Sequence, residues 1–140
     1  MTELTTKPFV WQVRVYFEDT DAGGVVYHSR YLNFFERART EMLRAWGVSQ
    51  TDLKENHGLI WVVLDISVKF RQAAKLDDEL LVSAELQWVK GVRQGFRQEM
   101  VRKSDGVMVA SAELSAVMLH ADSLKPARVP AWIKEKLVTR

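Results

Sequence analysis

The sequence predicts an α+β domain in which a five-stranded antiparallel sheet curls around one long helix. Three observations carry this. Residues 30–46 repeat Tyr31, Phe34, Phe35, Ala38, Met42, Ala45 and Trp46 at steps of one, three and four, a helical face too apolar to be left in water. From Leu59 to Met118 the pattern turns to strands rich in branched and aromatic residues, in large part at period two. Those strands run longer than the usual length of about five residues, which suits a curved sheet.

Taken in order, Phe9–Glu18 reads as the first strand, with Val13 and Val15 on one face and Arg14 and Tyr16 on the other. An Asp-Thr-Asp-Ala-Gly-Gly turn, residues 19–24, ends it. The long helix follows over 30–46. Ser29 is the expected N-cap, Leu32 leaves it without a capping box, and Gly47 is the expected stop. Arg37 and Glu41, four apart, are placed to pair weakly. A short helix is expected over Ser49–His57, capped by Ser49 or Thr51.

Four strands in a meander are expected next. Leu59–Ala73 is rich in Ile, Val and Trp, and Leu76–Glu79 is a turn. Leu80, Val82, Ala84, Leu86 and Trp88 then alternate with Ser83, Glu85 and Gln87. Lys90-Gly91 turns the chain, Gln94–Arg102 alternates less cleanly, and Lys103–Gly106 is a hairpin turn. Met108, Ala110, Ala112, Leu114, Ala116 and Met118 face one way. A C-terminal helix is expected over Pro130–Val138, with proline near its first position. No repeat, low-complexity run or linker interrupts residues 1–140, so a single domain is expected. The exposed sheet edges call for protection, and dimerisation through an edge supplies it.

The composition narrows the function. Twenty Lys+Arg against 18 Asp+Glu leave a net charge of +2, too balanced for nucleic acid to be the main partner. The absence of cysteine removes disulfides, thiolate metal sites and a cysteine nucleophile, and fits a reducing compartment. Met1–Pro8 has no apolar run of the kind a leader needs. No stretch of about 18 apolar residues occurs either. A cytoplasmic protein without a membrane span is the expectation.

The segment from Glu18 to His28 is where chemistry concentrates. It places acidic side chains, two adjacent glycines and a histidine between a strand and a helix N-terminus. Glycines let a ligand approach the backbone, and free helix N–H groups attract developing negative charge. Rival chemistries fit poorly. There is no Gly-x-Ser-x-Gly elbow, and no serine sits in a suggestive context beside His28, His57 or His120. Asp19-x-Asp21-x-Gly23 resembles the start of a calcium loop, but the twelfth position is Arg30 where a bidentate Glu belongs. No metal is expected. A carboxylate acting without metal remains: Asp21 attacking an activated acyl carbon, or deprotonating a water. A thiol is a good leaving group, so a thioester suits it. Backbone N–H groups around His28 would polarise the carbonyl, and Gly23 and Gly24 would let the backbone close on it. The same residues also make an ordinary turn, in which either aspartate simply accepts from backbone N–H groups.

The run Tyr16–Leu32, continuing through Phe35-Glu36-Arg37-Ala38-Arg39-Thr40-Glu41, resembles the signature of hot-dog-fold acyl-CoA thioesterases. The likeness is to the YbgC type, associated with the bacterial Tol-Pal gene cluster, and more distantly to 4-hydroxybenzoyl-CoA thioesterase. The resemblance implies that Asp21 is the catalytic nucleophile or general base. It implies that the His28 backbone N–H polarises the thioester, with the imidazole positioning substrate or water. Asp19 would shape the turn, and Tyr27, with Gly23, Gly24 and Phe34, would form the substrate pocket. A homo-oligomer is implied, a dimer or a homotetramer built of two dimers, with the site at a dimer interface. No cofactor is expected, since CoA belongs to the substrate. Lys69, Arg71, Lys90 and Arg93 are candidates for its phosphates. Acyl carrier protein or enzymes of phospholipid synthesis are possible partners. The alternative is a module that binds acyl-CoA or acyl carrier protein, or serves envelope metabolism, without turnover.

Overall fold

The computed structural model describes the backbone of residues 2–3 and 8–138 and the side chains of 8–137. Of the N-terminal run read for a leader, residues 1 and 4–7 lie outside the described residues. The elements are β1 (Thr2–Glu3), β2 (Phe9–Arg14), a 3-10 turn (Phe17–Asp19), α1 (His28–Ala45), α2 (Gln50–His57), β3 (Leu59–Phe70), β4 (Glu79–Lys90), β5 (Arg93–Arg102), β6 (Met108–His120) and α3 (Ala131–Val138). The five expected strands form one antiparallel sheet in the order β2-β4-β5-β6-β3; only β4, β5 and β6 make a meander, because β3 pairs with β6 and leaves β4 to pair with β2. The two-residue β1 adds to the far end of β4, opposite Trp88 and Val89.

The helix α1 lies on the concave face of this sheet, as the apolar stripe requires. Tyr31, Phe34, Phe35, Ala38 and Met42 are all buried. Two details differ from the sequence reading. Ala45 is exposed, and Leu43 takes its place in the core. A straight helix drifts past the stripe by its last turn, so the contact passes to the neighbouring position. Arg37 does not pair with Glu41; its guanidinium lies over the Phe34 ring at 5.7 Å, and Glu41 pairs with Arg44.

Two bulges explain where strict alternation fails. In β4, Leu80, Val82, Ala84 and Leu86 point inward as expected, then the register against β5 shifts between Leu86 and Trp88. One extra residue swaps the faces, so Val89 is buried in place of Trp88. Displaced from the core, the Trp88 indole lies across Gly95. A Cβ there would meet it at 2.0 Å, so only glycine fits. In β3 the register slips between Val63 and Asp65. Leu59 and Trp61 face inward before the slip, and Ile66 and Val68 after it. Such bulges bend a sheet, and these allow it to curl around α1.

Ser49 caps α2, accepting from the Asp52 N–H, and Gly58 ends it with φ +64°. Through Ile133 and Leu137, both fully enclosed, α3 docks on the core. Outside it, the Trp132 ring lies 4.9 Å from that of His57. Strand β3 forms one border of the sheet, and Val62, Val63 and Leu64 on it are exposed. No helix is long and apolar enough to cross a membrane among the described residues.

Candidate active site

The first strand ends at Arg14, four residues short of the expected limit. Beyond it the chain bonds elsewhere. Val15 exchanges backbone hydrogen bonds with Asp77 and Asp78, and residues 17–19 tighten into a 3-10 turn. Asp19 organises that turn. Its carboxylate is buried and accepts from the Tyr16 N–H at 2.9 Å, with the Arg30 guanidinium 3.9 Å away. Its carbonyl accepts from the Tyr27 N–H at 2.9 Å, which closes the loop. This last bond fixes the start of α1. Tyr27, not Ser29, is the N-cap, and no side chain caps the helix.

Asp21 sits inside this loop and is exposed. Its N–H donates to the Val25 carbonyl at 2.8 Å, and its carbonyl accepts from Gly24 at 3.0 Å. One carboxylate oxygen, Oδ1, accepts from the Gly23 N–H at 2.8 Å and more weakly from Val25 at 3.4 Å. The other, Oδ2, has no partner among the described residues. Gly24 adopts φ +80°, a region that costs other residues about 1 kcal/mol or more. The two aspartates thus differ physically: Asp19 spends its carboxylate on the fold, whereas Asp21 keeps one oxygen free.

His28 is the first residue of α1, so its N–H has no helical acceptor. No other group among the described residues accepts from it. That donor carries the partial positive charge of a helix N-terminus. Its imidazole is exposed and lies 4.3 Å from the Tyr27 ring, which is also exposed.

The loop does not stand alone. Residues 71–78, between β3 and β4, hold it from behind. The Val26 N–H donates to the Ala74 carbonyl at 2.8 Å, and the Ala74 N–H to the Tyr31 hydroxyl at 3.1 Å. Arg102 clamps the same segment, donating to Ala73 O, Asp78 and Asp105. The Asp105 carboxylate first, and then that of Asp78, raise its already high pKa. Sequence reading missed Arg102 and Tyr31 in this role. Arg102 stands at a strand end like many surface arginines, and no local pattern marks it. The clamp brings His28, Tyr31, Phe70, Arg71 and Gln72 around one open cavity.

Of the four cations proposed for CoA, only Arg71 joins the loop. Lys69 lies beside it on a polar depression of the sheet with Arg97 and Glu113. Lys90 and Arg93 sit at the opposite end of the sheet, since Arg93 pairs with Val117 whereas Lys69 pairs with Ser111. The four are therefore not one cluster. Phe34, expected in the pocket wall, is fully buried under α1 and belongs to the core. Its position next to Phe35 on the inward face leaves it no route to solvent.

Comparison with known proteins gives consistent matches. The thioesterase-like superfamily model covers residues 15–137. The acyl-CoA thioesterase YbgC of Haemophilus influenzae is 44% identical over 126 residues, 90% of this chain and 91% of that one. The acyl-CoA thioester hydrolase YbgC of Escherichia coli O157:H7 is 40% identical, over 93% of this chain and 96% of its own. The crystal structure of a probable thioesterase from Bartonella henselae superposes with a TM-score of 0.82 at 33% identity. That match covers 89% of this chain and all of the other.

Proposed function

The chain belongs to the thioesterase-like superfamily and has the hot-dog fold, and from that premise we propose that it hydrolyses acyl-CoA thioesters at Asp21. The free Oδ2 of Asp21, held beside an unpaired helix N-terminus, carries this reading. The YbgC relatives, named as acyl-CoA thioesterases, support the substrate class.

The chemistry follows from the two groups. The thioester carbonyl lies against the His28 N–H, which receives the charge that builds on its oxygen. Asp21 takes a proton from a water, and the water oxygen bonds to the carbonyl carbon. The tetrahedral intermediate collapses, the C–S bond breaks, and CoA leaves as a thiolate that is then protonated. The products are a carboxylic acid and CoA. In the nucleophilic form, an Asp21 oxygen attacks the carbon and expels the thiolate, and water then opens the resulting anhydride. Single turnover in 18O-labelled water separates the two, because only the anhydride route can leave label in Asp21. No metal or cofactor is needed in either form.

Arg71 is the cation to hold a CoA phosphate, because it lines the cavity that His28 borders. Tyr27 and the Gly23–Gly24 backbone border the reacting end. The exposed β3 edge, with Val62, Val63 and Leu64, is the surface for a second copy. A dimer there, or two dimers in a tetramer, is read by sedimentation. Hydrolysis of acyl carrier protein thioesters tests the carrier as a partner.

The deciding experiment is a panel of acyl-CoAs of varied length, one of them aromatic, with released thiol detected. Asp21→Asn should lose about 10²- to 10⁴-fold in turnover while its fold and oligomer persist. Unchanged turnover in that variant would remove Asp21 from the chemistry. Failure of every acyl-CoA and of an acyl carrier protein substrate would favour a binding module.

A further inference from the structure

The start of α1 and the segment behind it are joined at one residue. Ala74 is completely buried, and both of its backbone groups bond to the chain around the helix start. Its carbonyl accepts from the Val26 N–H at 2.8 Å, and its N–H donates to the Tyr31 hydroxyl at 3.1 Å. Val25 extends the contact by pairing with Lys75 in an isolated antiparallel bridge. Residues 26 and 31 stand on either side of His28. The two bonds therefore close a ring through Ala74 that holds His28 within it.

One side of this ring is a main-chain bond that any residue but proline could make. The other depends on a single side-chain oxygen. Tyr31 follows His28 by three positions, and helical side chains lean toward the helix N-terminus, so its ring reaches back beside the first turn. That ring is 4% exposed and packs edge to face on Phe70, with centroids 5.2 Å apart. No other group among the described residues accepts from the Ala74 N–H. Without the hydroxyl, a buried donor would be stranded and the ring would open on that side.

The His28 N–H is aimed by the backbone that surrounds it. A free donor helps a reaction only where it points at developing charge, and a misplacement of about 1 Å can cost about a hundredfold. Resting on the reading that this N–H receives the charge on the thioester oxygen, we propose that Tyr31 is a positioning residue for the reaction. Its hydroxyl, through Ala74, keeps the His28 N–H aimed at the carbonyl. The hydroxyl takes no part in the bonds that form and break. Its loss acts on the transition state more than on substrate binding, because charge builds on the oxygen only as the carbonyl is attacked.

The test is Tyr31→Phe, which keeps the ring and its Phe70 contact and deletes only the hydroxyl. With an acyl-CoA that the parent hydrolyses, kcat should fall about 10- to 100-fold while KM stays within about threefold. A trifluoromethyl ketone analogue of that acyl-CoA, which takes up water to become tetrahedral, should lose affinity in step with kcat. A thioether analogue, which has no carbonyl, should bind both chains alike. Ile133→Val, on α3, is the control for general loosening and should keep the parental kcat. A parental kcat in Tyr31→Phe overturns the proposal. So does a loss carried wholly by KM, or an equal fall of kcat in Ile133→Val. If Tyr31→Phe does not fold, 3-fluorotyrosine at position 31 weakens the oxygen as an acceptor and should lower kcat at constant KM; an unchanged kcat there overturns the proposal. Asp21→Asn, assayed beside these, separates the two readings. Turnover retained in it removes Asp21 from the chemistry, whereas turnover lost in it beside a parental Tyr31→Phe removes Tyr31 alone. A parent chain that hydrolyses no acyl thioester overturns both.

Discussion

Asp21 and Gln98 both accept hydrogen bonds, yet one is open to solvent and the other is completely enclosed. Asp21 is positioned by neighbours in sequence, through the N–H groups of Gly23 and Val25. Gln98 is positioned by Phe35, Ser83 and Arg39, which lie on other elements. The loop bonds only one oxygen of its carboxylate and leaves the other without a partner among the described residues. The interior network spends every donor of its amide, and in return joins helix to sheet. A buried polar group is costly when left unpaired, so the second arrangement should be the more fragile one.

The sharpest break in this comparison is the contrast in activity. Asp21→Asn should remove about two to four orders of magnitude of turnover while changing stability by less than about 1 kcal/mol, because the amide oxygen can still accept from Gly23. Thermal unfolding beside a thiol-release assay reads both. The converse is expected of Gln98→Leu. It takes one donor from each of the Phe35 and Ser83 carbonyls and removes the acceptor of Arg39, at a cost of about 1–3 kcal/mol in chemical denaturation. Turnover per folded molecule should fall far less than in Asp21→Asn.

Smaller effects sharpen the division within the loop itself. Asp19→Ala leaves the Tyr16 N–H without its acceptor and should cost about 1–2 kcal/mol. Turnover should drop as well, through a looser start to α1. Asp19→Asn should recover much of that loss, which a catalytic carboxylate would not permit. Gly24→Ala, at φ +80°, should cost about 1 kcal/mol and weaken turnover modestly, seen as a slightly lower melting temperature.

How far the sequence could be read depended on the range of the interactions. The long helix, the short helix with its Ser49 cap, and the run β4-β5-β6 were legible, because periodicity and turn residues are local signals; the place of β3, which pairs with β6 and not with β4, was not. Val89, Trp88 and Leu64 were not. A bulge swaps faces without any change in composition, and the Trp88 pattern continues cleanly through the place where the strand slips. The start of α1 was also hidden. Ser29 has the chemistry of a cap, but the bond from Tyr27 to the Asp19 carbonyl began the helix earlier. Phe34 read equally well as core or pocket, and only the closed packing under α1 decided for the core.

The sequence by itself determined the fold class, the thioesterase signature and the position of the candidate loop, because each rests on local patterns of residues. The tertiary structure decided which groups meet. It separated Asp19 from Asp21, brought Arg71 to His28, parted Lys90 and Arg93 from them, and bonded Arg39 to Gln98. The physical reason is that hydrogen bonds such as Gln98 to Phe35, 63 residues apart, depend on where a curved sheet closes on a helix. That closure is set by bulges and packing, which no local run of residues records.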